Sequence, residues 1–507
     1  MRAELRALLV GAAVLYLAGI WWGLSLRWAP DELVPAFVFD AIDVRFSGGW
    51  HDKYPPMQYY LGAVLYFPVA IAAHLGWVDL ASAPTNAALV TLLRLLTVAM
   101  AVGTVAAVYL TAADLYGRRG AFAAALLAGF TPTFVFYAKL GNVDVPSIFW
   151  LAWALRWYVR GVQRDERRAL WWCAATGVTA IATKDQTAGF VILPACHLAY
   201  LWLRRGEWRP LLTAAAIAAG LFAIEFNLPF NTRGIVAHVE MITGEASAPF
   251  RLPGSTWTRQ LMVAKLTWME LAWSMTWVGL AAGLAGVAVE LRRRRFLWFL
   301  LPAVSYYLFF VMVAGYVYDR FLIGVCLVLA IFAGGWIDGL LRAGAPAARW
   351  RWAAGVVAGA FIVWSGVSMD LMMALDSRYP ASQWIQTHRS GGRVGLVGHP
   401  EYLPHVPAAM LLGSGPADYQ PDQQPRLIVV NAEVMRRDRL PPLEREWRAW
   451  LADGHSRYVV AARFKTLPPF SLLSYTDVFR NGVEDTTTNL DKAGPEIVVY
   501  WNPDVLR

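Results

Sequence analysis

Five short polar segments of the chain carry residue types that suit acid–base and phosphate chemistry. They are Asp31–Glu32, His51–Tyr54, Asn142–Asp144, Lys184–Asp185 and Tyr318–Arg320. A carboxylate within hydrogen-bond reach of a hydroxyl can remove its proton. A lysine or arginine beside a phosphate stabilises the charge that develops there in a transition state. These segments therefore hold the candidates for an active site.

Each segment also has a purely structural interpretation. Pro30 followed by Asp31–Glu32 suits a helix start, where the dipole favours acidic residues. Lys53 can extend its charge toward a membrane surface, and Asp144 can form a turn. The neighbouring cation and anion of the last two segments can be local ion pairs. A shared site becomes the stronger interpretation if all five segments reach one face of the molecule.

The composition indicates an integral membrane protein. Of 507 residues, 57% are hydrophobic and only 16% are charged, and the mean hydropathy is +0.42. Soluble domains carry about 25% charged residues. The net charge of +9 does not indicate nucleic-acid binding, because the arginines lie between apolar segments, as cytoplasmic loops do.

Twelve apolar stretches are long enough to be candidate membrane segments, given that a crossing helix needs roughly 20 residues. They lie near 7–27, 57–77, 87–113, 119–138, 143–161, 168–183, 187–204, 210–227, 268–290, 296–314, 321–341 and 352–373. Arg2 and Arg6 precede the first stretch, and no small-residue cleavage site follows it. We therefore interpret it as an uncleaved first span rather than a signal peptide.

The arginine clusters orient these segments. If all twelve crossed, the later clusters would fall outside, although positive loops stay in the cytoplasm. If stretch 57–77, which follows Pro55–Pro56, does not cross, every cluster falls inside. The prediction is about eleven spans in the inner (plasma) membrane, with the loop 28–86 and all five polar segments outside. Fusion of two neighbouring stretches, or failure of another candidate to cross, remains an alternative.

Signals for several other site types are absent from the sequence. There is no phosphate-binding P-loop, no dinucleotide-binding glycine pattern and no zinc spacing. The three cysteines, Cys173, Cys196 and Cys326, fall in apolar stretches and are interpreted as buried free thiols. We predict no cofactor. Asp31, Glu32 and Asp144 could hold a divalent metal, which the sequence does not require.

The composition changes near residue 376, which divides the chain into a membrane domain, 1–375, and a soluble extracytoplasmic domain, 376–507. Strands are predicted at Val394–Val397, Leu427–Val430, Tyr458–Ala461 and Ile497–Trp501, and helices near 381–388 and Glu444–Leu451. A small α/β domain fits this pattern. His399 follows the first strand, where a ligand can bind, but an ordinary loop histidine is the preferred interpretation.

The order of these motifs resembles the bacterial GT-C membrane glycosyltransferases that take sugar from a polyprenyl-phosphate donor, such as the protein O-mannosyltransferases and the lipid A aminoarabinose transferase. Pro30–Glu32 matches their Asp-Glu pair, and Lys53–Pro56 matches a Lys-Pro or His-Pro-Pro motif with Tyr54 inserted. Asn142–Pro146 matches the aspartate between two spans. Thr183–Asp185 matches Thr-Lys-Gly with aspartate in place of glycine, and Tyr318–Phe321 matches a late aromatic-x-Arg segment.

This resemblance implies a GT-C-like, α-helical polytopic fold and an inverting hexosyl or pentosyl transfer to an acceptor hydroxyl. Asp31 is then the candidate base, with Glu32 or Asp144 orienting the acceptor or the base. The donor phosphate would contact Lys53, Lys184 and Arg320. Possible further substrate contacts are Tyr54, Asn142, Asp185 and Tyr318. The acceptor, whether glycan, lipid or protein, is open.

Two other functions fit the sequence less well. A transporter or flippase of lipid-linked sugar would explain the spans and charges, but inverted repeats and interrupted helix pairs at mid-membrane are expected there. The sequence contains no such repeat, and its polar residues gather at one predicted face. A non-catalytic protein that binds lipid-linked sugar would carry the same residues, so only an activity assay separates it from an enzyme.

Overall fold

The computed structural model describes most of the chain, and every statement below concerns the residues that it describes. These are residues 3–24, 26, 28–29, 31–44, 54–244, 251–252, 254–342, 348–389, 392–420, 423–436, 441–453, 457–466 and 493–503. The described part is mostly helical, with one five-stranded sheet near the C-terminus. This confirms the predicted fold class of a helical membrane protein with a small α/β domain.

The chain forms two compact units. The first contains Met1–Ile20 and Asp31–Val367, and the second contains Trp21–Pro30 and Ser368–Arg507. The boundary thus falls eight residues before the one proposed at 375/376. The compartment of each unit stays a prediction from the arginine pattern.

Sixteen helices precede the sheet-containing part of the chain. They are α1 (Ala3–Leu17), α2 (Pro35–Asp43), α3 (Met57–His74), α4 (Ala83–Tyr116), α5 (Arg118–Gly129), α6 (Pro132–Tyr137), α7 (Asp144–Gln163), α8 (Arg167–Thr183), α9 (Ala188–Arg204), α10 (Trp208–Glu225), α11 (Thr232–Thr243), α12 (Thr256–Arg293), α13 (Leu301–Tyr306), α14 (Met312–Ala314), α15 (Ile323–Arg342) and α16 (Ala348–Ala374).

Among the described residues, seven stretches are long and apolar enough to cross a membrane. They are Ala83–Tyr116, Asp185–Arg204, Trp208–Glu225, Thr256–Arg293, Leu297–Ala314, Asp319–Arg342 and Arg349–His388. Other helices, which are shorter, such as α5 and α8, or less apolar, such as α7, contain the other predicted spans. The count of about eleven therefore remains a prediction, while the membrane class of the protein is clear.

Helix α15 lies at the centre of the first unit, because 78% of its most apolar window is buried. It contacts α12 and α5 through glycines that let the backbones approach. A Cβ on Gly286 would lie 2.2 Å from the Phe332 carbonyl oxygen, and one on Gly334 would lie 2.3 Å from that of Gly120. In a lipid environment, such close backbone packing replaces the hydrophobic drive that holds soluble helices together.

Two irregular segments interrupt the long helices. Thr276, within α12, has φ +64° and ψ 157°, a conformation that is rare for a β-branched residue. Its hydroxyl accepts a hydrogen bond from the Gly279 N–H at 3.3 Å, which satisfies part of the broken ladder. Tyr307–Val311 forms a π-helical turn between α13 and α14. Turns of this type are frequent near functional sites.

The second unit is built on a mixed sheet of strands β1 (Val394–Val397), β2 (Met410–Leu411), β3 (Leu427–Asn431), β4 (Val459–Phe464) and β5 (Ile497–Trp501). The strand order is β2-β1-β3-β5-β4, parallel from β2 to β3 and antiparallel beyond. Helices α17 (Arg378–His388), α18 (Ala432–Met435) and α19 (Pro442–Ala452) complete the unit. The four predicted strands and both predicted helices are present, whereas β2 was too short to recognise from sequence.

Residues 21–30 belong to this second unit because tryptophans anchor them. The Trp22 indole N–H donates to the Asp376 carboxylate at 2.9 Å, and the Trp28 indole N–H donates to the Leu403 carbonyl at 3.1 Å. The Arg378 guanidinium lies 3.9 Å from the Trp28 ring centroid and is also paired with Asp376. A fully buried arginine is stable here because a carboxylate and aromatic faces replace its water.

Candidate active site

Residues from three distant parts of the first unit surround one small, partly open cleft. Its lining residues are Asp144, Ser147, Ile148, Lys184, Gln186, Thr187, Phe190, Tyr306, Arg320 and Phe321. Three of these, Asp144, Lys184 and Arg320, come from the polar segments singled out by sequence. The cleft combines charged groups with aromatic walls, as small-molecule sites commonly do.

Asp144 begins α7 and is almost fully buried. A turn that puts the Asn142 side-chain oxygen 3.2 Å from the Asp144 N–H leads into the helix. The carboxylate pairs through Oδ1 with the Lys184 ammonium, while Oδ2 has no hydrogen-bond partner in the described part of the chain. That second oxygen is 3.8 Å from the Arg320 guanidinium. Asp144 therefore presents one oxygen that a substrate hydroxyl can use.

Arg320 links Asp144 to Asp31. It lies in a short 3₁₀ turn, Asp319–Leu322, where its backbone N–H donates to the Asp319 carboxylate at 2.7 Å. Its guanidinium pairs with the Asp31 carboxylate, and it lies 5.3 Å from the Tyr318 ring centroid. Asp31 has a positive φ of 53°, which aspartate tolerates better than most residues. The turn at Asp31 and the turn at Arg320 together bring the two charges into contact.

Glu32 does not face the same partners as Asp31. Its carboxylate takes a two-point contact from the Arg94 guanidinium, at 2.7 and 2.8 Å, and accepts the Gly141 N–H at 2.8 Å. Arg94 also donates to the Ile20 carbonyl at 2.6 Å. Glu32 thus connects the segment that carries Asp31, helix α4 and the turn that leads to Asp144. This geometry fixes the relative position of the two aspartates.

Lys184 ends α8 in an extended conformation, with φ −153° and ψ 113°. Its ammonium reaches Asp144 and also lies 5.1 Å from the Phe321 ring centroid. The next residue, Asp185, begins a 3₁₀ turn and is partly exposed. Lys184 and Arg320 therefore face one another across the Asp144 carboxylate, a pair of cations suited to hold a phosphate.

The remaining predicted residues fall as follows. Tyr54 is buried, and its pKa is raised well above 10, first by burial and then by the nearby Asp31 charge. The Asn142 amide nitrogen is buried without a hydrogen-bond partner among described residues. Tyr318 contacts Arg320 through its ring, as noted above. Lys53 lies outside the described residues, as do His51 and Asp52.

Sequence reasoning missed several residues of this region. Arg94 was overlooked because it falls inside the apolar stretch 87–113, although a lone charge within a span is itself a functional signal. Gln186 and Thr187 line the cleft but have no distinctive motif. The aromatic wall, in which Phe190 stacks on Tyr306 with ring centroids 3.8 Å apart, joins residues 116 positions apart and has no sequence signal.

Charge in the cleft is balanced internally. Two carboxylates, Asp31 and Asp144, face two cations, Lys184 and Arg320. Across the described ranges, no group of three or more His, Cys, Asp or Glu side chains is placed to hold a metal ion. Chemically, this arrangement can bind an anion at the cations and accept a proton at a carboxylate.

Comparison with known proteins agrees with this chemistry. Residues 87–230 match the family model described as dolichyl-phosphate-mannose-protein mannosyltransferase. The matched segment contains Asp144 and Lys184. A search of curated proteins finds no match to the chain. The family match confirms the resemblance to the polyprenyl-phosphate-dependent membrane glycosyltransferases that the motifs predicted.

Two solved structures are similar to this chain at low sequence identity. ArnT from Cupriavidus metallidurans, bound to undecaprenyl phosphate, is 15% identical, with a TM-score of 0.47 over 98% of both chains. The oligosaccharyltransferase AglB from Archaeoglobus fulgidus, in complex with an inhibitory peptide and a dolichol-phosphate, is 12% identical, with a TM-score of 0.42 over 99% of this chain and 88% of that one. Similarity at this level carries no information about the substrate or reaction of this chain.

Proposed function

We propose that this chain is an inverting glycosyltransferase that moves a hexose or pentose from a polyprenyl-phosphate donor to an acceptor hydroxyl. The reaction takes place on the extracytoplasmic face of the inner (plasma) membrane. The observation that carries the proposal is the convergence of Asp144, Lys184 and Arg320 on one cleft, together with the ion pair between Arg320 and Asp31, which lies 289 residues earlier in the chain. The family match over residues 87–230 supports the same class of reaction.

The cations hold the donor phosphate in this proposal. A polyprenyl phosphate is already an acceptable leaving anion, so it needs charge stabilisation more than protonation. Arg320 offers a planar fork suited to two phosphate oxygens, and Lys184 adds a point charge. Lys53 is proposed as a third phosphate contact from its position in the sequence. Tyr54, Tyr318 and Asp185 stand next to these cations and are proposed substrate contacts.

Asp31 is the proposed base. Its carboxylate takes the acceptor hydroxyl proton as that oxygen attacks the anomeric carbon of the donor sugar. The bond from that carbon to the phosphate oxygen breaks, and its electron pair leaves with the polyprenyl phosphate. Attack opposite the leaving group inverts the anomeric configuration. Arg320 pairs with the Asp31 carboxylate, and a nearby cation favours the charged form of a carboxylate, which is the form that accepts a proton.

Asp144 and Glu32 have orienting roles in this mechanism. Oδ2 of Asp144, which has no hydrogen-bond partner among the described residues, can accept a hydrogen bond from a sugar or acceptor hydroxyl. Glu32, held by Arg94, keeps the Asp31 and Asp144 segments in register. Asn142 supports the turn before Asp144 through its side-chain oxygen. No step of this mechanism requires a metal ion.

The proposal is tested by incubating the purified protein with labelled polyprenyl-phosphate sugars and membrane extract. The wild type should transfer label, and Asp31→Asn should lose at least a hundredfold in rate, typical of removing a general base. Asp43→Asn, which alters an exposed carboxyl on the neighbouring helix α2, is the matched control and should keep full activity. Wild-type transfer by Asp31→Asn would exclude Asp31 as the base.

The same assay separates the alternatives. A non-catalytic binder would retain polyprenyl-phosphate sugar in an equilibrium binding measurement but transfer no label with any donor. A flippase reconstituted in vesicles would move the labelled lipid between leaflets without changing it chemically. Only the enzyme gives a labelled product whose anomeric configuration, read by NMR, is opposite to that of the donor.

A further inference from the structure

A second buried acidic group lies in the first unit, away from the cleft. Glu225 is the last residue of α10 and is more than nine-tenths buried. Only Pro210 and Glu225 are buried in helix α10. The neighbouring Ile224 is 70% exposed. The helix therefore turns its one acid inward while its apolar residues face outward.

Glu225 has an unusual set of partners. The Thr179 hydroxyl of α8 lies 2.7 Å from Glu225 Oε1 and 3.0 Å from the Ala175 carbonyl oxygen. A hydroxyl has one proton and cannot donate fully to both. Both contacts are satisfied when Glu225 carries a proton and donates it to Thr179, while Thr179 donates to Ala175. The carboxyl is then neutral, which is also the less costly form of a buried acid.

The other oxygen, Glu225 Oε2, is buried and has no hydrogen-bond partner in the described part of the chain. By contrast, Oε2 of the buried Glu290 accepts the Phe296 N–H at 3.1 Å. An unpaired buried carboxyl oxygen costs about 1–3 kcal/mol, so a ligand that donates to it recovers that cost. Polar residues inside the membrane most often mark such sites.

Glu225 contacts the same helix, α8, that leads to Lys184, one of the proposed donor-phosphate cations. Lys184 directly follows α8 and comes five residues after Thr179, a separation of roughly 7.5 Å along a helix axis. Thr183, one turn after Thr179, donates to the Thr179 carbonyl at 2.8 Å and continues the same polar stripe toward Lys184. Helix α3 also contacts α8, and its Tyr60 interacts electrostatically with Glu225.

We propose that Glu225, with Thr179, forms a carbohydrate subsite that accepts a hydrogen bond from a sugar hydroxyl of the donor or of the acceptor. The inference rests on the proposed glycosyltransferase function and adds to it a recognition site outside the cleft. A neutral carboxyl group without a neighbouring cation does not attract a phosphate. Because it carries no negative charge, it does not attract an ammonium group either. A neutral hydroxyl is the group that matches its one open acceptor atom.

The test compares wild type with Glu225→Leu and Thr179→Val in the full-length protein in lipid nanodiscs. The donor arm measures the binding of polyprenyl-phosphate hexoses relative to polyprenyl phosphate without sugar. The acceptor arm measures the amount of membrane extract that half-saturates transfer. Thr176→Val is the matched control, because its hydroxyl lies one turn earlier on α8 and donates only to the Trp172 carbonyl at 2.7 Å among described contacts.

A subsite for the donor sugar predicts that both variants lose about tenfold to a hundredfold of the preference for the sugar-bearing lipid, with unchanged binding of polyprenyl phosphate. A subsite for the acceptor predicts the same loss in the acceptor arm alone. Wild-type values for both variants in both arms, or an equal loss in Thr176→Val, overturn the subsite. If the wild type neither binds polyprenyl phosphate nor transfers sugar, the proposed function itself has failed.

Discussion

At the residue scale, the cleft is neutralised from within. Lys184 and Arg320 are the cations that a donor phosphate needs, yet in this structure they pair with Asp144 and Asp31. An incoming phosphate must therefore share or take over these cations. Donor binding would then release carboxylate oxygens for the acceptor. Because of this competition, removal of a carboxylate should strengthen binding of the donor phosphate but slow transfer of the sugar.

Asp144→Asn should raise the affinity for polyprenyl phosphate while lowering the rate of transfer. The amide keeps the shape of the side chain but removes a negative charge that competes for Lys184. We expect about a tenfold gain in affinity, equivalent to about 1.4 kcal/mol. Lys184→Met is the opposing variant and should lose affinity. A weaker affinity in Asp144→Asn, measured by equilibrium binding, would contradict internal competition at the cleft.

Glu32 and Arg94 should behave as one unit in a double-mutant cycle. Glu32→Gln leaves the buried Arg94 charge unpaired, and such losses destabilise by about 3–5 kcal/mol. Arg94→Gln leaves the carboxylate uncompensated in the same way. The double variant removes both charges and should cost less than the sum of the two single changes. Thermal unfolding in detergent measures the three costs, and simple additivity would show that the pair is not coupled.

At the element scale, glycines rather than large apolar contacts set the spacing between the central helices. Gly286 on α12 faces the α15 backbone at Phe332, and Gly120 on α5 faces Gly334 on α15. The 3₁₀ turn Asp319–Leu322, which contains Arg320, immediately precedes α15. Packing along α15 therefore bears directly on the position of this cation in the cleft.

Gly286→Ala should destabilise the membrane domain by about 1–3 kcal/mol, because the added Cβ would lie 2.2 Å from backbone atoms that cannot turn away. Gly355→Ala on α16 is the matched control, since a Cβ there meets nothing within 4 Å. The control should be neutral or slightly stabilising, as expected for an unhindered helical glycine. Equal melting temperatures for the two variants would mean that the α12–α15 contact is not tight.

At the scale of the whole molecule, the arginine pattern predicts which compartment holds the cleft. Helix α4 has 34 residues, about 51 Å at 1.5 Å per residue, and is long enough to extend beyond a hydrocarbon core of about 30 Å. Its first residues form the end of the predicted loop 28–86, and its last residues adjoin Arg118 and Arg119. The compartment in which each end of this helix lies therefore shows the orientation of the membrane domain.

Cysteine labelling of intact cells tests that orientation. In a background lacking Cys173, Cys196 and Cys326, Ala81→Cys should react with an impermeant thiol reagent, and Arg119→Cys should react only after permeabilisation. Both positions are exposed. Ala417→Cys, exposed on the second unit, should react like Ala81→Cys. Labelling of Arg119→Cys in intact cells would reverse the predicted topology.

The second unit should lose stability in acid through Glu496. Partial burial alone would raise the pKa of this carboxyl, but hydrogen bonds and charges from Arg436, Lys465 and Arg463 outweigh it and lower the pKa below 4.5. A carboxyl group whose pKa is lower in the folded state than in the unfolded state stabilises the fold fully at pH values above the unfolded-state pKa. This stabilisation is lost as the pH falls through the folded-state pKa. Because Arg436 is half exposed, the contribution is at most about 1 kcal/mol.

Hydrogen exchange of the β5 amides in the full-length protein measures this effect. At pH 7, Glu496→Gln should show slightly faster exchange than wild type after correction for intrinsic rates. The difference should shrink as pH falls below about 4.5 and vanish once the wild-type carboxyl is protonated. A difference that stays constant from pH 7 to pH 3 would show that the ionised carboxylate does not stabilise the sheet.

The sequence by itself determined what short-range patterns encode. Runs of apolar residues predicted the membrane domain, because burial of backbone and side chains in lipid depends on composition alone. Alternation and turn residues predicted strands such as Val394–Val397 and Ile497–Trp501. Charged residues beside those runs predicted Asp144, Lys184 and Arg320 as members of one site, since charge at a membrane boundary is costly without a function.

Only the tertiary structure decided which of these residues meet and which partners they take. The Glu32–Arg94 contact, the stacking of Phe190 on Tyr306 and the inward turn of Glu225 each join distant segments. The sequence also gave no sign that residues 21–30 belong with the C-terminal unit, through Trp22 and Trp28. Local sequence fixes the length and polarity of a helix, whereas its rotation and neighbours follow from packing among all the helices at once.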